Sequence, residues 1–161
     1  MFNFDLVNFQ CTLCSQRLEL KKEELLCHNC KNSYSIVKDV PRFVSSSNYA
    51  DSFGFQWNIF KKTQLDSFIG KNISRERIYR VTGFDRKTNL KKYKLLEAGS
   101  GAGRFTEILG ETKAEIHTFD FSSAIDANKE NNNNFKNINF FQADVLNIPF
   151  PDNYFDYVLC L

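Results

Sequence analysis

Four short apolar segments, separated by longer mixed stretches, recur in the second half of the chain. They lie at about 94–98, 115–120, 138–142 and 155–160. Short apolar runs that alternate with helix-length segments predict parallel strands joined by crossover helices. The last run has no polar end, which is typical of a strand inside a larger sheet. The pattern predicts an α/β domain, and we expect the chain to contain only the amino-terminal part of it.

A glycine-rich loop follows the first of these predicted strands. Gly99, Gly101 and Gly103 stand at alternate positions, and a helix is predicted to begin near Arg104, with that side chain on its exposed side. Glycine adopts backbone angles closed to other residues and lets a ligand approach the main chain closely. The first turn of the helix adds unpaired N–H groups. The loop therefore predicts a site for a nucleoside-containing cofactor.

The spacing of the glycines distinguishes between two kinds of cofactor. A dinucleotide fingerprint, Gly-x-Gly-x-x-Gly, would need glycine at position 104, which is arginine. Glu97 stands two residues before the first glycine, where a carboxylate repels a pyrophosphate but suits ammonium and sulfonium groups. The stretch resembles motif I of the class I S-adenosylmethionine-dependent methyltransferases, acidic-x-Gly-x-Gly-x-Gly. This resemblance implies a Rossmann-like sheet, with Glu97 and the glycine backbone at the amino-acid end of the cofactor.

Acidic residues at the ends of the next two predicted strands extend this resemblance. Asp120 ends the second strand, where a carboxylate can accept from both hydroxyls of a ribose. Asp144 follows the third strand, and in the family the acid there accepts from the adenine amino group. The next backbone N–H, that of Val145, then serves the ring nitrogen. The alternatives are a helix cap for Asp120 and a plain loop acid for Asp144.

A second candidate site lies near the amino terminus. Two Cys-x-x-Cys pairs, Cys11 with Cys14 and Cys27 with Cys30, are separated by twelve residues that predict a hairpin with a charged tip. Each pair can direct two thiolates at one metal, and four thiolates make a tetrahedral zinc site. We expect a structural zinc ion, because about 44 residues bury little apolar surface alone. His28 is an alternative ligand, although four thiolates already fill the shell.

Disulfide bonds are the competing explanation for these cysteines. The amino terminus lacks a basic segment followed by a long apolar run, so no signal peptide is expected. Cys160 is left over in an apolar strand and is expected to be a buried thiol. The segment 34–44 resembles the end of the ribbon in the small zinc-binding activator of tRNA and rRNA methyltransferases. Similar ribbons are fused to the amino terminus of some methyltransferases, which implies no particular substrate.

These patterns divide the chain into three expected parts. They are a zinc ribbon over 1–44, a largely helical linker over 45–90 with a polar hinge at 45–48, and the first part of a cofactor-binding domain over 91–161. The linker is rich in aromatic residues, which either pack between linker and core or form a lid over the cofactor. These residues are Tyr49, Phe53, Phe55, Trp57 and Phe60.

Charge is distributed unevenly along a chain whose net charge is only +2. Residues 61–94 contain eleven Lys and Arg against three Asp and Glu, whereas residues 95–161 contain four against ten. The acidic part suits a cationic cofactor. The basic part either contacts RNA phosphates or another anionic substrate, or forms a solvated helical face.

The sequence predicts an S-adenosyl-L-methionine-dependent methyltransferase whose acceptor is a small biosynthetic molecule or RNA. Neither the general base nor the oligomeric state is predicted. One alternative is a non-catalytic zinc-ribbon module that recruits RNA or a protein partner. Another is an NAD-dependent or nucleotide-sugar enzyme with an irregular loop. We expect no membrane-spanning segment, and thiols bound to zinc suit a cytoplasmic location.

Overall fold

A computed structural model of the protein describes residues 7–45 and 50–161, which form two four-stranded sheets. The first sheet is antiparallel, in the order β1-β2-β3-β4, and we call residues 7–44 the ribbon. Lys22 and Glu23 make the turn of the predicted hairpin, and Lys22 has a φ of 57°. The strands are β1 (Leu18–Lys21), β2 (Glu24–Cys27), β3 (Ser33–Val37) and β4 (Val40–Pro41).

Three helices precede the second sheet: α1 (Asp51–Ile59), α2 (Asp66–Ile69) and α3 (Ile73–Thr82). Asp66 is buried and accepts the N–H groups of Ser74 and Arg75 at 2.9 and 3.0 Å, which satisfies the first turn of α3. Gly83, with a φ of 77°, ends that helix. Of the hinge predicted at 45–48, residues 46–48 lie outside the described residues, as does Tyr49.

The second sheet is parallel and confirms the predicted α/β class. Its strands are β5 (Lys94–Ala98), β6 (Glu115–Asp120), β7 (Ile138–Gln142) and β8 (Tyr157–Cys160), in the order β7-β6-β5-β8. The crossovers contain α4 (Thr106–Gly110) and α5 (Ala124–Asn132). Strand β8 begins later than predicted, because Asp156 instead binds the main chain of Lys94 through its N–H and its carboxylate. Cys160, expected to be buried, is exposed, whereas its neighbour Leu159 is buried.

Helices cover one face of the parallel sheet. Buried side chains of α3, α4 and α5 pack there against the apolar residues of the strands, and the members of this cluster include Ile78, Leu95, Leu109, Ile116 and Ile125. All five side chains are fully buried. This layer is the core that the alternation of strands and helices predicts.

The ribbon covers the opposite face of the same sheet. The Phe9 ring lies 5.6 Å from the Phe141 ring and 5.0 Å from the Phe150 ring, measured between centroids. The main chain also connects the two sheets. The Phe43 N–H donates to the carbonyl of Gln142, the last residue of β7, at 2.8 Å. The Arg42 guanidinium donates to the side chains of Gln142 and Asp126. Ribbon and parallel sheet therefore share one core.

Among the described residues, no helix has both the length and the apolar character needed to cross a bilayer.

Candidate functional site

The four ribbon cysteines converge. Their Sγ atoms all lie within 4.8 Å of one another, with Cys11 at 3.5 Å from Cys30 and Cys14 at 3.4 Å from Cys27. These separations are far longer than a disulfide bond of about 2.05 Å. Each pair sits on a tight turn in which the N–H after the second cysteine donates to the carbonyl of the first. Four thiols so arranged fit a tetrahedral zinc ion.

Neighbouring side chains support this arrangement. The Tyr34 hydroxyl lies 3.3 Å from Cys11 Sγ and also accepts the Thr12 N–H at 2.9 Å, which fixes the first knuckle. A hydrogen bond from the Asn29 side chain lowers the pKa of the Cys14 thiol to about 6, whereas burial and the neighbouring sulfur atoms raise the pKa of the Cys30 thiol. His28 is exposed and pairs with Glu19 on the surface, so it is not part of the cysteine cluster.

The three loop glycines have left-handed backbone angles, with φ of 72° at Gly99, 53° at Gly101 and 88° at Gly103. Gly99 and Gly101 face open space, with nothing within 4 Å of the position of a Cβ atom. A Cβ at Gly103 would lie 2.1 Å from Asn128 Oδ1. The first two glycines therefore leave room for a ligand, whereas the third allows the loop to pack on α5.

Glu97 lies beneath the loop and is only 3% exposed. Its Oε2 accepts from the hydroxyls of Thr106 and Thr118 at 2.5 and 2.8 Å, and Oε1 is buried without a partner among the described residues. Burial raises the pKa of this carboxyl to about 7. The Asn128 amide donates to both threonine hydroxyls and extends the network. A direct role for Glu97 at the amino-acid end of a cofactor stays a prediction.

Asp120 holds the loop from its other side. Its Oδ2 accepts the Gly101 N–H at 2.8 Å, and its Oδ1 accepts the N–H and hydroxyl of Ser122 at 2.9 and 2.7 Å. Asp144 lies further along the edge of the sheet, where its Oδ1 accepts the Leu146 N–H at 2.9 Å. Val145, the next residue, is 57% exposed. The carboxyl ends of the parallel strands thus carry acids in the predicted order.

A cavity of about 210 Å³ lies between the glycine loop and the preceding helices. Gly99, Gly101 and Asp120 line it, whereas four other predicted site residues do not: Glu97, Gly103, Asp144 and Val145. Typical small-molecule sites enclose roughly 300–1,000 Å³. The cavity therefore fits one part of a nucleoside cofactor, and Asp144 and Val145 lie on the open surface beside it.

The linker helices supply the opposite wall of this cavity. Phe53 and Trp57 of α1 line it, with their rings 5.8 Å apart. Asn58, also on α1, donates to the Ser123 carbonyl at 2.9 Å, which attaches the helix to the start of α5. Trp57 therefore borders the cavity beside Phe53, and both predicted roles of the aromatic segment stay predictions.

Three further lining residues were not predicted as site residues. Ser100 lies within the glycine loop, and its buried Oγ has no partner among the described residues. Arg77 reaches the cavity from α3, where the excess of basic residues was the only signal. Arg104, expected on the exposed side of its helix, is half-buried and donates from Nε to Ser74 Oγ at 3.1 Å. The expectation was wrong because α4 begins two residues later, at Thr106, and leaves Arg104 in the loop.

A larger cavity of about 600 Å³ lies at the opposite ends of the strands. It is bordered by lysines and asparagines that include Lys91, Lys113 and Asn137. Ligands of open α/β sheets bind beyond the carboxyl ends of the strands. We therefore assign the candidate site to the smaller cavity, which lies at those ends and contains the glycine loop.

Comparison with known proteins agrees with this geometry. Residues 96–161 match a family model described as "Methyltransferase domain". Among solved structures, a candidate S-adenosyl-L-methionine-dependent methyltransferase from Methanococcus maripaludis is 25% identical, with a TM-score of 0.51 over 73% of this chain and 52% of that one. No curated protein sequence matches the chain.

Two further solved structures are similar in part. A phosphoethanolamine N-methyltransferase from Haemonchus contortus, in complex with phosphoethanolamine and S-adenosylhomocysteine, is 24% identical, with a TM-score of 0.47 over 73% of this chain and 26% of that one. A SAM-dependent methyltransferase from Aquifex aeolicus is 18% identical, with a TM-score of 0.46 over 68% of this chain and 55% of that one. The chain thus spans between about a quarter and about half of the length of these proteins.

Proposed function

We propose that the chain binds S-adenosyl-L-methionine and provides the cofactor part of a methyl-transfer site, a proposal supported by the match of residues 96–161 to a model described as "Methyltransferase domain". The observation that carries the proposal is the meeting of Gly99, Gly101 and Asp120 in one cavity at the carboxyl ends of the strands. The glycines leave the main chain accessible to a ligand, and the carboxylate can accept hydrogen bonds from a ribose. Both features suit a nucleoside with a positively charged group.

The remaining site residues follow from the same placement. We assign the ribose to Asp120, whose carboxylate oxygens have further lone pairs beside the bonds to Gly101 and Ser122. The amino-acid end falls to the glycine backbone and to Glu97, whose Oε1 has no partner among the described residues. The adenine falls to Asp144 and to the Val145 N–H beyond the cavity.

The chemistry demands little of the protein beyond positioning. The sulfonium of the cofactor is an activated methyl donor when bound, so the chain must hold donor and acceptor close and aligned. His117 is buried between the rings of Phe150, Tyr154 and Phe155 and bonds Glu115, so we assign it no catalytic role. We favour a small-molecule acceptor over RNA, because Phe53 and Trp57 wall the cavity of about 210 Å³ beside the glycine loop.

We further propose that the ribbon binds one structural zinc ion through Cys11, Cys14, Cys27 and Cys30. The convergence of their sulfur atoms supports this proposal. A reducing compartment such as the cytoplasm would keep these thiols available for the metal. The alternative function, a ribbon that recruits RNA or a protein partner, is less favoured because much of the apolar surface of the ribbon already packs on the parallel sheet.

Calorimetric titration with S-adenosylhomocysteine tests the cofactor proposal. We expect saturable binding by the unmodified chain. Asp120→Asn should lower the affinity by about tenfold or more, since charge-assisted hydrogen bonds contribute roughly 1.5–3 kcal/mol. Asp152→Asn, at an exposed position outside the cavity, is the matched control and should bind normally. Absence of binding by the unmodified chain, or equal binding by Asp120→Asn when its fold is intact, would contradict the proposal.

A further inference from the structure

The candidate cavity contains more positive charge than its cofactor explains. Lys61, Arg77 and Arg104 line it, against a single acid, Asp120. Lys61 is paired with Glu130, but within 7–45 and 50–161 no carboxylate forms an ion pair with either arginine. Two guanidinium groups therefore border the cavity without a negative partner.

Both arginines contact the same aromatic ring, with Arg77 exposed and Arg104 half-buried. Their guanidinium carbons lie 5.6 Å (Arg77) and 4.8 Å (Arg104) from the centroid of the buried Phe105 ring. Arg104 is also fixed by its hydrogen bond to Ser74 Oγ. Cation–π contacts orient a guanidinium without neutralising it. The two side chains are therefore positioned but keep their charge for a ligand.

Two residues that line the cavity also carry buried neutral donors. Trp57 Nε1 and Ser100 Oγ are buried, line the cavity and have no partner among the described residues. Ser100 is only 6% exposed, so water reaches its hydroxyl poorly. Buried donors without acceptors are rare in native proteins and call for an explanation, which a ligand in this cavity would provide. The indole and hydroxyl groups thus add to the two guanidinium groups as a set of donors.

Charge complementarity then identifies the missing ligand. S-adenosyl-L-methionine carries a sulfonium, an ammonium and one carboxylate, so it is itself positive and offsets at most one of the two arginines. A second anion would reduce the repulsion between the cofactor and the guanidinium groups at the rim of the cavity. Building on the proposed function, we propose that the methyl acceptor is an anion, with a carboxylate or phosphate group held by Arg77 and Arg104 beside the cofactor.

Simple anions test this proposal without knowledge of the acceptor. Affinity for S-adenosylhomocysteine is measured with and without inorganic phosphate or acetate, at constant ionic strength. We expect at least one anion to raise the affinity of the unmodified chain about fivefold or more, and Arg77→Gln to lose this effect. Arg80→Gln is the matched control, because Arg80 lies exposed on the same helix and does not line the cavity.

A second nucleoside distinguishes the acceptor from the carboxylate of the cofactor. 5′-Methylthioadenosine lacks the amino-acid end of the cofactor. If Arg77→Gln weakens the binding of S-adenosylhomocysteine but not that of 5′-methylthioadenosine, and anions do not change either affinity, the arginines bind the amino-acid end. That result would overturn the proposal, as would the absence of any anion effect in the unmodified chain. Failure to bind S-adenosylhomocysteine at all would remove the proposed function. Protection of the free chain by phosphate, lost in Arg77→Gln, would then still support the anion site.

Discussion

The ribbon and the parallel sheet differ in how their interiors are built. The sheet has a layer of helices on one face, and whole strands such as β6 are buried or nearly so. In the ribbon, three of the four residues of β1 are exposed. The side chains that the ribbon does bury, such as Phe9 and Tyr34, belong to a cluster that includes Phe119 and Phe141 of the sheet. The ribbon therefore depends on the sheet beside it, in addition to the proposed zinc site.

This difference shows that the two parts are not independent modules joined by a linker. One face of the sheet that bears the glycine loop is covered by the ribbon rather than by helices. Loss of the ribbon would expose Leu96, Phe119 and Phe141 to water, at roughly 25 cal/mol for each Å² of apolar surface. The predicted zinc site and the candidate cofactor site should therefore be coupled in stability.

Removal of a zinc ligand should have the largest effect. Cys27 is fully buried, and Cys27→Ser should lower the zinc content from about one ion per chain to none. Zinc binding contributes roughly 10–16 kcal/mol to the folding of small finger peptides, so the ribbon should unfold and the sheet should melt at a lower temperature. Elemental analysis and hydrogen exchange in β7 measure the two effects.

The matched control is Cys160→Ser, because that thiol is exposed and lies outside the cysteine cluster. It should leave the zinc content unchanged and the free energy of unfolding within about 0.5 kcal/mol. Unaltered exchange in β7 after complete loss of zinc from Cys27→Ser would show that the ribbon and the sheet are independent.

Truncation of a shared core residue should have the next largest effect. Phe9 is 2% exposed, and Phe9→Ala should lower the free energy of unfolding by about 3–5 kcal/mol. Trp57 is the single tryptophan and lies outside the ribbon, so its fluorescence during urea unfolding reports on the rest of the protein. Leu13→Ala, at a 70% exposed ribbon position, is the control. An unchanged Trp57 transition in Phe9→Ala would separate the two parts.

The smallest effect concerns the buried carboxyl beneath the glycine loop. Because the pKa of Glu97 is raised to about 7 by burial, the folded chain takes up a proton that the unfolded chain releases at lower pH. Stability from this group is therefore complete below its ordinary pKa and decreases as pH rises to about 7, by about 3 kcal/mol. Glu97→Gln mimics the protonated form and should remove this decrease.

Urea unfolding of both chains at pH 5 and pH 8 measures this effect as a difference, so that other titrating groups cancel. The control is Glu23→Gln, at an exposed turn of the ribbon, whose pH dependence should match that of the unmodified chain. Parallel curves for Glu97→Gln and the unmodified chain would contradict the burial argument. This test examines the interior of the parallel sheet and not that of the ribbon.

Local patterns explain what the sequence could predict. The four parallel strands follow from apolar runs, and the cysteine knuckles from two short motifs, since both depend on residues close together in the chain. Burial of Glu97 could not be predicted, because it depends on Thr106 and Thr118, which come from two other elements. The position of Glu97 before the loop is equally compatible with a residue that contacts the ligand and with one that supports the loop from below.

Docking of the ribbon on the sheet was also beyond the sequence. Arg42 and Gln142 are one hundred positions apart, and no short motif connects them. The apolar residues of the ribbon, such as Phe9, have the composition of an internal core and of an interface alike. The place of Arg77 at the cavity could not be predicted either, since a basic residue on an amphipathic helix is most often solvated.

The hydrogen bond from Phe43 to Gln142 has a consequence for solubility. A bare outer strand offers a row of unused amide and carbonyl groups to any passing chain, which invites intermolecular pairing and fibre growth. At the carboxyl end of β7 the ribbon occupies part of that row, with the Arg42 side chain beside it. The ribbon therefore pairs with backbone groups of β7 that another chain could otherwise use.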